Sequence, residues 1–113
     1  MQLALPELLG VVFADFDDVV GPQIRTQWPA ELLSDREFRR AAPFLIVDEE
    51  LAFRTVSLRL ENCQLLALPV RVRGAHYRRG VYLFAPTLVL SATADCAAFR
   101  RVLRKFALIL AAL

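Results

Sequence analysis

The sequence predicts an α+β domain, a five-stranded antiparallel sheet flanked by helices, in the order β-β-α-β-β-β-α. Three observations carry this prediction. Segments 8–16 and 81–90 are apolar at nearly every position, as inner strands covered on both faces are. Segments 23–28 and 54–60 alternate with the period of a half-buried strand. The last stretch, 95–113, carries its apolar residues at helical spacing.

The first two strands meet in the segment 11–29. An apolar run passes into Asp15, Asp17 and Asp18 and turns at Gly21-Pro22. The chain re-emerges with Ile24, Thr26 and Trp28 on one face and Gln23, Arg25 and Gln27 on the other, which predicts a β-hairpin. The three aspartates read as a solvated turn, because the glycine and glutamate pattern of a calcium loop is absent. Next, Ser34-Asp35-Arg36-Glu37 is a capping box, followed at helical spacing by Phe38, Ala41, Ala42 and Leu45. Proline lacks an N–H and crowds the carbonyl four residues back, so Pro43 limits the expected helix to 35–42. An irregular or kinked segment is expected from there to about residue 50.

In 54–60, Val56, Leu58 and Leu60 point inward, and Glu61-Asn62 supplies a turn. The next strand, 63–73, has Leu66, Leu68, Val70 and Val72 on one face and Arg71 and Arg73 on the other. Pro69 cannot donate to a ladder, which predicts a bulge or an unpaired stretch. Residues 74–80 form a loop bracketed by Gly74 and Gly80, and Pro86 predicts a bulge or an early end in the strand 81–90. In the last helix Cys96, Phe99, Val102, Leu103, Phe106, Ile109, Leu110 and Leu113 make one stripe, with Arg100, Arg101, Arg104 and Lys105 away from it. After Lys105 the polar face disappears, so this end is expected to be buried on both sides or to join an interface. That end, without a cap or polar tail, predicts that residues 1–113 are a single domain at the N-terminus of a longer protein.

Composition narrows the function. The 113 residues suffice for one domain, and 57% of them are hydrophobic, enough to fill a core and leave apolar surface over. No apolar run reaches the roughly 18 residues of a membrane span, and no basic residue precedes the first apolar stretch as in a secretory signal. Cys63 and Cys96 lack metal-ligand spacing and read as free thiols in a cytosolic domain. The net charge of +2 hides an asymmetry. Residues 1–61 hold six Arg against eleven acidic residues, whereas 62–113 hold seven Arg and one Lys against one Asp. The second half thus suits either an anionic partner or an ordinary solvated surface.

Enzyme signatures are absent. The only lysine, Lys105, follows no glycine loop, and Gly10, Gly21, Gly74 and Gly80 make no dinucleotide fingerprint. The only histidine, His76, has no nucleophile-elbow motif to serve. No cofactor or metal is therefore expected. The basic residues are not interleaved with exposed aromatics, which argues against nucleic acid.

The segment 11–29 also resembles the opening of the nitrogen permease regulator 2-like family, which begins with a longin domain. The matching string is Phe-x-acidic-Phe, Gly-Pro-x-Ile and Gln-x-Pro, carried here by Phe13, Asp15, Phe16, Gly21, Pro22, Ile24, Gln27 and Pro29. The element order is also that of the longin and related profilin-like folds, so the resemblance extends over most of the chain in outline. It implies a subunit that pairs with a regulator 3-like subunit through their longin domains and, without catalytic activity of its own, activates GTP hydrolysis by Rag GTPases. It also implies a cytoplasmic complex, peripheral to the lysosomal or vacuolar membrane, that restrains TORC1 amino-acid signalling. The family's arginine finger falls on Arg79, in Tyr77-Arg78-Arg79-Gly80, and a shift of one residue hands the role to Arg78. The other reading is a non-catalytic longin interaction module of a membrane-trafficking protein. Under either reading the isolated domain is expected to pair with another longin domain or with itself.

Overall fold

All the strands of the computed structural model, which describes residues 7–46, 52–77 and 80–112, belong to one antiparallel sheet. They are β1 (Leu8–Asp17), β2 (Gly21–Trp28), β3 (Val56–Arg59), β4 (Cys63–Ala67), β5 (Val70–Arg73) and β6 (Val81–Ser91). Their order is β2-β1-β6-β4-β3, with β5 also paired to β6. The two apolar runs are therefore adjacent inner strands, β1 and β6, as their composition requires. The fold is α+β and compatible with a longin-like fold.

The described residues form six strands where the sequence predicts five, because the segment 63–73 is divided at Leu68-Pro69. The register does not slip across the division. Ala67 faces Thr87 and Val70 faces Phe84, so three residues advance on each strand and there is no bulge. Leu68 N donates to Pro86 O at 3.2 Å, and the reciprocal bond is lost because Pro86 has no N–H. The Pro69 carbonyl turns to the other side, where it accepts from Phe53 N at 2.7 Å. Pro86 therefore neither bulges β6 nor ends it early: the strand runs through it to Ser91. The consequence is a short gap in the ladder at Leu68-Pro69, the unpaired stretch expected there.

Helix α1 (Asp35–Leu45) starts in the expected box, with Ser34 Oγ accepting from Glu37 N at 3.1 Å and Glu37 Oε1 accepting from Ser34 N at 3.0 Å. It does not stop at 42. Pro43 lies inside it on the exposed side, where the orphaned Arg39 carbonyl can be served by solvent, and the extra turn buries Leu45 completely. The irregular segment expected to about residue 50 lies largely outside the described residues.

The last helix also departs from its predicted start. A 3₁₀ turn at Cys96–Phe99, capped by Asp95 accepting from Ala97 N at 3.0 Å, leads into α2 (Arg100–Ala111). Leu103 and Ala107 are its buried residues, with Phe99 and Leu110 packed beside them. Val102, Phe106 and Ile109, which share the predicted stripe, are exposed instead. The small side chain of Ala107 lets the helix rest on the sheet along one margin of that stripe.

The helices cover opposite faces. Phe38, Ala41 and Leu45 of α1 pack on Val12, Leu65 and Val89, whereas Leu103 and Ala107 of α2 pack on Leu66, Phe84 and Leu90. Alternate residues of one strand thus feed two cores. Both cysteines are free. Cys63 is buried on the α1 side, where burial first and the nearby Glu37 charge second push its thiol up. Cys96 is only half-buried and donates to Gln64 Oε1 at 3.3 Å. Alkylation of the native protein is expected to label Cys96 before Cys63, and mass spectrometry showing the reverse order would contradict this packing.

Candidate functional site

The hairpin β1–β2 builds the site from a tight turn and a bulge. Asp17 Oδ1 accepts from Val19 N at 2.8 Å and Val20 N at 3.0 Å, and Gly21 then takes φ of +83°. The Val20 and Val19 amides hold the Asp17 carboxyl below the usual aspartate range. Further along, Phe13 faces Thr26 but Ala14 faces Ile24, so Arg25 is an extra residue in β2. The predicted grouping of Ile24 with Thr26 and Trp28 is thereby broken. Ile24 packs in the α1-side core, whereas Thr26 and Trp28 line a groove with Val11, Phe13 and Phe106 of the α2 side. A one-residue slip moves every later side chain to the other face.

The bulge brings Arg25 and Gln23 to Asp15. Reading Asp15 as part of a solvated turn is wrong, because its side chain is 0% exposed. Its Oδ1 accepts from Gln23 Nε2 at 2.9 Å, and its Oδ2 accepts from Arg25 Nε at 2.9 Å and from the Tyr82 hydroxyl at 2.5 Å. A carboxylate taken out of water needs such partners, and three donors serve this one. The bond to Asp15 raises the Arg25 pKa. Burial first, and the bond to Asp15 second, push the Tyr82 hydroxyl far above the ordinary tyrosine range, so it stays protonated and donates. Strand parity could have found Asp15 in the sequence: it follows Val11 and Phe13 on the face that packs toward α2.

Aromatic rings continue from there to the loop. Phe13 stacks on Phe84, Phe84 on Tyr82, and Tyr82 on Tyr77, with ring centroids 5.4, 5.4 and 5.5 Å apart. His76, exposed, tilts against Tyr77 at 4.0 Å. Between this row and the end of α2 lies a cleft of about 220 Å³, lined by Val72, Leu110 and Ala111 as well as by the rings. The loop is pinned at its described ends: Gly74 N donates to Gly80 O at 3.2 Å, and Gly80 N donates to Tyr77 O at 2.9 Å. Arg79 and its alternate Arg78 lie outside the described residues, immediately between Tyr77 and Gly80.

Among the described residues no group of three or more His, Cys, Asp or Glu side chains is placed to hold a metal ion. No described helix is long and apolar enough to cross a membrane.

The family model for nitrogen permease regulator 2 matches residues 6–113. The chain belongs to the nitrogen permease regulator 2 family. A curated relative, the nitrogen permease regulator 2 homolog of Schizosaccharomyces pombe, is 23% identical over 110 residues, covering 90% of this chain and 27% of that protein. The chain thus spans about a quarter of the length of that relative. Within the nitrogen permease regulator 2 reading, the buried Asp15 and the bulged Arg25 are the side chains that sequence inspection undervalued. Arg25 gave no local signal, since nothing in an alternating strand announces an inserted residue.

Proposed function

We propose that this chain is the N-terminal longin domain of a nitrogen permease regulator 2 subunit that pairs with a regulator 3-like longin domain and stimulates GTP hydrolysis by a Rag-type GTPase. Arg79 is the stimulating residue, with Arg78 as its neighbour in reserve. In this role the subunit is cytoplasmic, peripheral to a lysosomal or vacuolar membrane, and restrains TORC1 amino-acid signalling. The observation that carries the reading is the pinned loop: the residues on either side of the arginine pair are tied to each other and, through Tyr77, to the aromatic row on the sheet. A guanidinium presented from a braced loop can meet two phosphate oxygens as charge develops in the transition state. Pairing is supported by apolar surface beside the outer strand β2, where Trp28 is 74% exposed and shares a groove with the exposed Phe106 of α2.

The full-length protein, co-purified with a regulator 3-like subunit, tests the reading. The pair is expected to form a stable complex that accelerates single-turnover hydrolysis by a GTP-loaded Rag-type GTPase. A chain that pairs without accelerating hydrolysis is an interaction module of the trafficking type, and one that does neither contradicts the proposal outright.

A further inference from the structure

Asp15 is expensive where it stands. Its neighbours on the same strand face, Val11 and Phe13, are apolar, and an apolar side chain would fill the position without desolvating a carboxylate. What the carboxylate does that an apolar residue cannot is accept the Tyr82 hydroxyl while Arg25 and Gln23 hold it from the other side. Tyr82 is thereby fixed in rotation as well as in place. Its ring lies between two others, Phe84 at 29° and Tyr77 at 19° interplanar angle. Tyr77 is the last described residue before the arginine pair, and its carbonyl accepts from Gly80 N.

We propose that Asp15 and Tyr82 are positioning residues for the loop's described arm, 74–77, the hydrogen bond setting the Tyr82 ring and the Tyr82–Tyr77 stack setting that arm against the sheet. This rests on the reading of that loop as GTPase-stimulating. The chemistry asks for such a brace. A group that stabilises developing phosphate charge is effective only when its position is fixed before the reaction, and a displacement of about 1 Å can cost 10²-fold in rate. Loop backbones are the mobile part of a domain, so the rigidity has to come from side chains rooted in the sheet. The row Asp15, Tyr82 and Tyr77 supplies that root. Arg25, half-exposed at 54%, closes the carboxylate on its outer side through the β2 bulge.

The test uses the full-length chain in its complex with the regulator 3-like subunit. Tyr82→Phe keeps the ring and its stack but removes the hydroxyl. The maximal single-turnover rate of GTP hydrolysis at saturating complex is expected to fall by roughly 10- to 100-fold. The concentration for half-maximal stimulation should stay as in wild type. Deuterium uptake at the backbone amides of 74–77 should rise, a local change that a general loss of stability does not mimic. An unchanged maximal rate, or a change confined to half-saturation, overturns the proposal. If Tyr82→Phe fails to assemble, the pair Tyr77→Phe and Tyr77→Ala decides. Phenylalanine preserves the stack and should keep the wild-type rate, alanine should lose it, and equal rates overturn the proposal. Arg79→Lys and Arg78→Lys run alongside. If neither lowers the rate, the reading of the loop itself falls; if one does and Tyr82→Phe does not, only the positioning role falls.

Discussion

Arg79→Lys, placed in the full-length chain and assembled with its partner subunit, is expected to abolish most of the stimulation of GTP hydrolysis while leaving assembly intact. Lysine keeps the positive charge but offers a single point donor, whereas guanidinium offers a planar fork that engages two oxygens together. An arginine supplied in trans is worth about 10³- to 10⁵-fold in hydrolysis rate. Losing most of that is the largest effect of any substitution in this chain. The residue also sits just before Gly80, whose φ of +73° is open to glycine and strained for most other residues. Arg78→Lys is expected to retain most of the rate, since the proposed reading gives the stimulating role to Arg79. Single-turnover measurements on both variants separate the two arginines, and a larger loss from Arg78→Lys would move the role by one residue.

The largest expected effect on stability belongs to Gln64. Its side chain, buried on the α2 face, directs the two protons of Nε2 at three carbonyls: Ser91 at 3.0 Å, Ala92 at 3.1 Å and Ala94 at 2.9 Å. Those carbonyls lie at the end of β6 and in its irregular exit toward α2; Ser91 O also accepts from Ala94 N at 3.1 Å, whereas Gln64 serves Ala92 and Ala94. Oε1 in turn accepts from Cys96 Sγ at the start of the 3₁₀ turn. Leucine in place of Gln64 removes the donor to the Ala92 and Ala94 carbonyls, while Ser91 O keeps its bond from Ala94 N, at about 1–3 kcal/mol for each bond lost. A total loss on the order of 2–4 kcal/mol is expected, lowering the melting temperature of a domain this size by roughly 10 °C or more. Gln64→Glu keeps the shape and replaces the donor with an acceptor, so a similar or greater loss is expected there. If both variants unfold in urea within about 0.5 kcal/mol of wild type, the clasp does not hold the β6–α2 connection.

Local pattern made much of the fold legible. The two apolar runs became β1 and β6, the alternation of Val56, Leu58 and Leu60 gave the α1-facing side of β3 and its turn, and the capping box at Ser34 started α1 where expected. These features depend on residues a few positions apart, and such spacings can be read without knowing the partners. The departures all involve choices made by tertiary contacts. Pro43 is tolerated because the carbonyl it orphans faces solvent and Leu45 gains a fully buried place. Val102 and Ile109 are left exposed because α2 rests on Leu103 and Ala107 instead. The candidate site was half legible. The loop was bracketed correctly by Gly74 and Gly80, but Asp15 is joined to Tyr82 across 67 positions of sequence, a distance over which no periodicity speaks. The acidic run around it imitated a turn, and only the bulge at Arg25 reveals why a carboxylate is supported there.

The most direct measurement is single-turnover hydrolysis by a GTP-loaded Rag-type GTPase in the presence of the full-length protein, co-purified with a regulator 3-like subunit, carrying Arg78→Lys and Arg79→Lys together. The double variant is indifferent to which arginine acts, and it leaves Asp15, Tyr82 and the pairing surface untouched. The account predicts normal assembly with stimulation reduced to a small fraction of the wild-type value. Wild-type stimulation by the double variant would contradict it and leave this domain a pairing module alone.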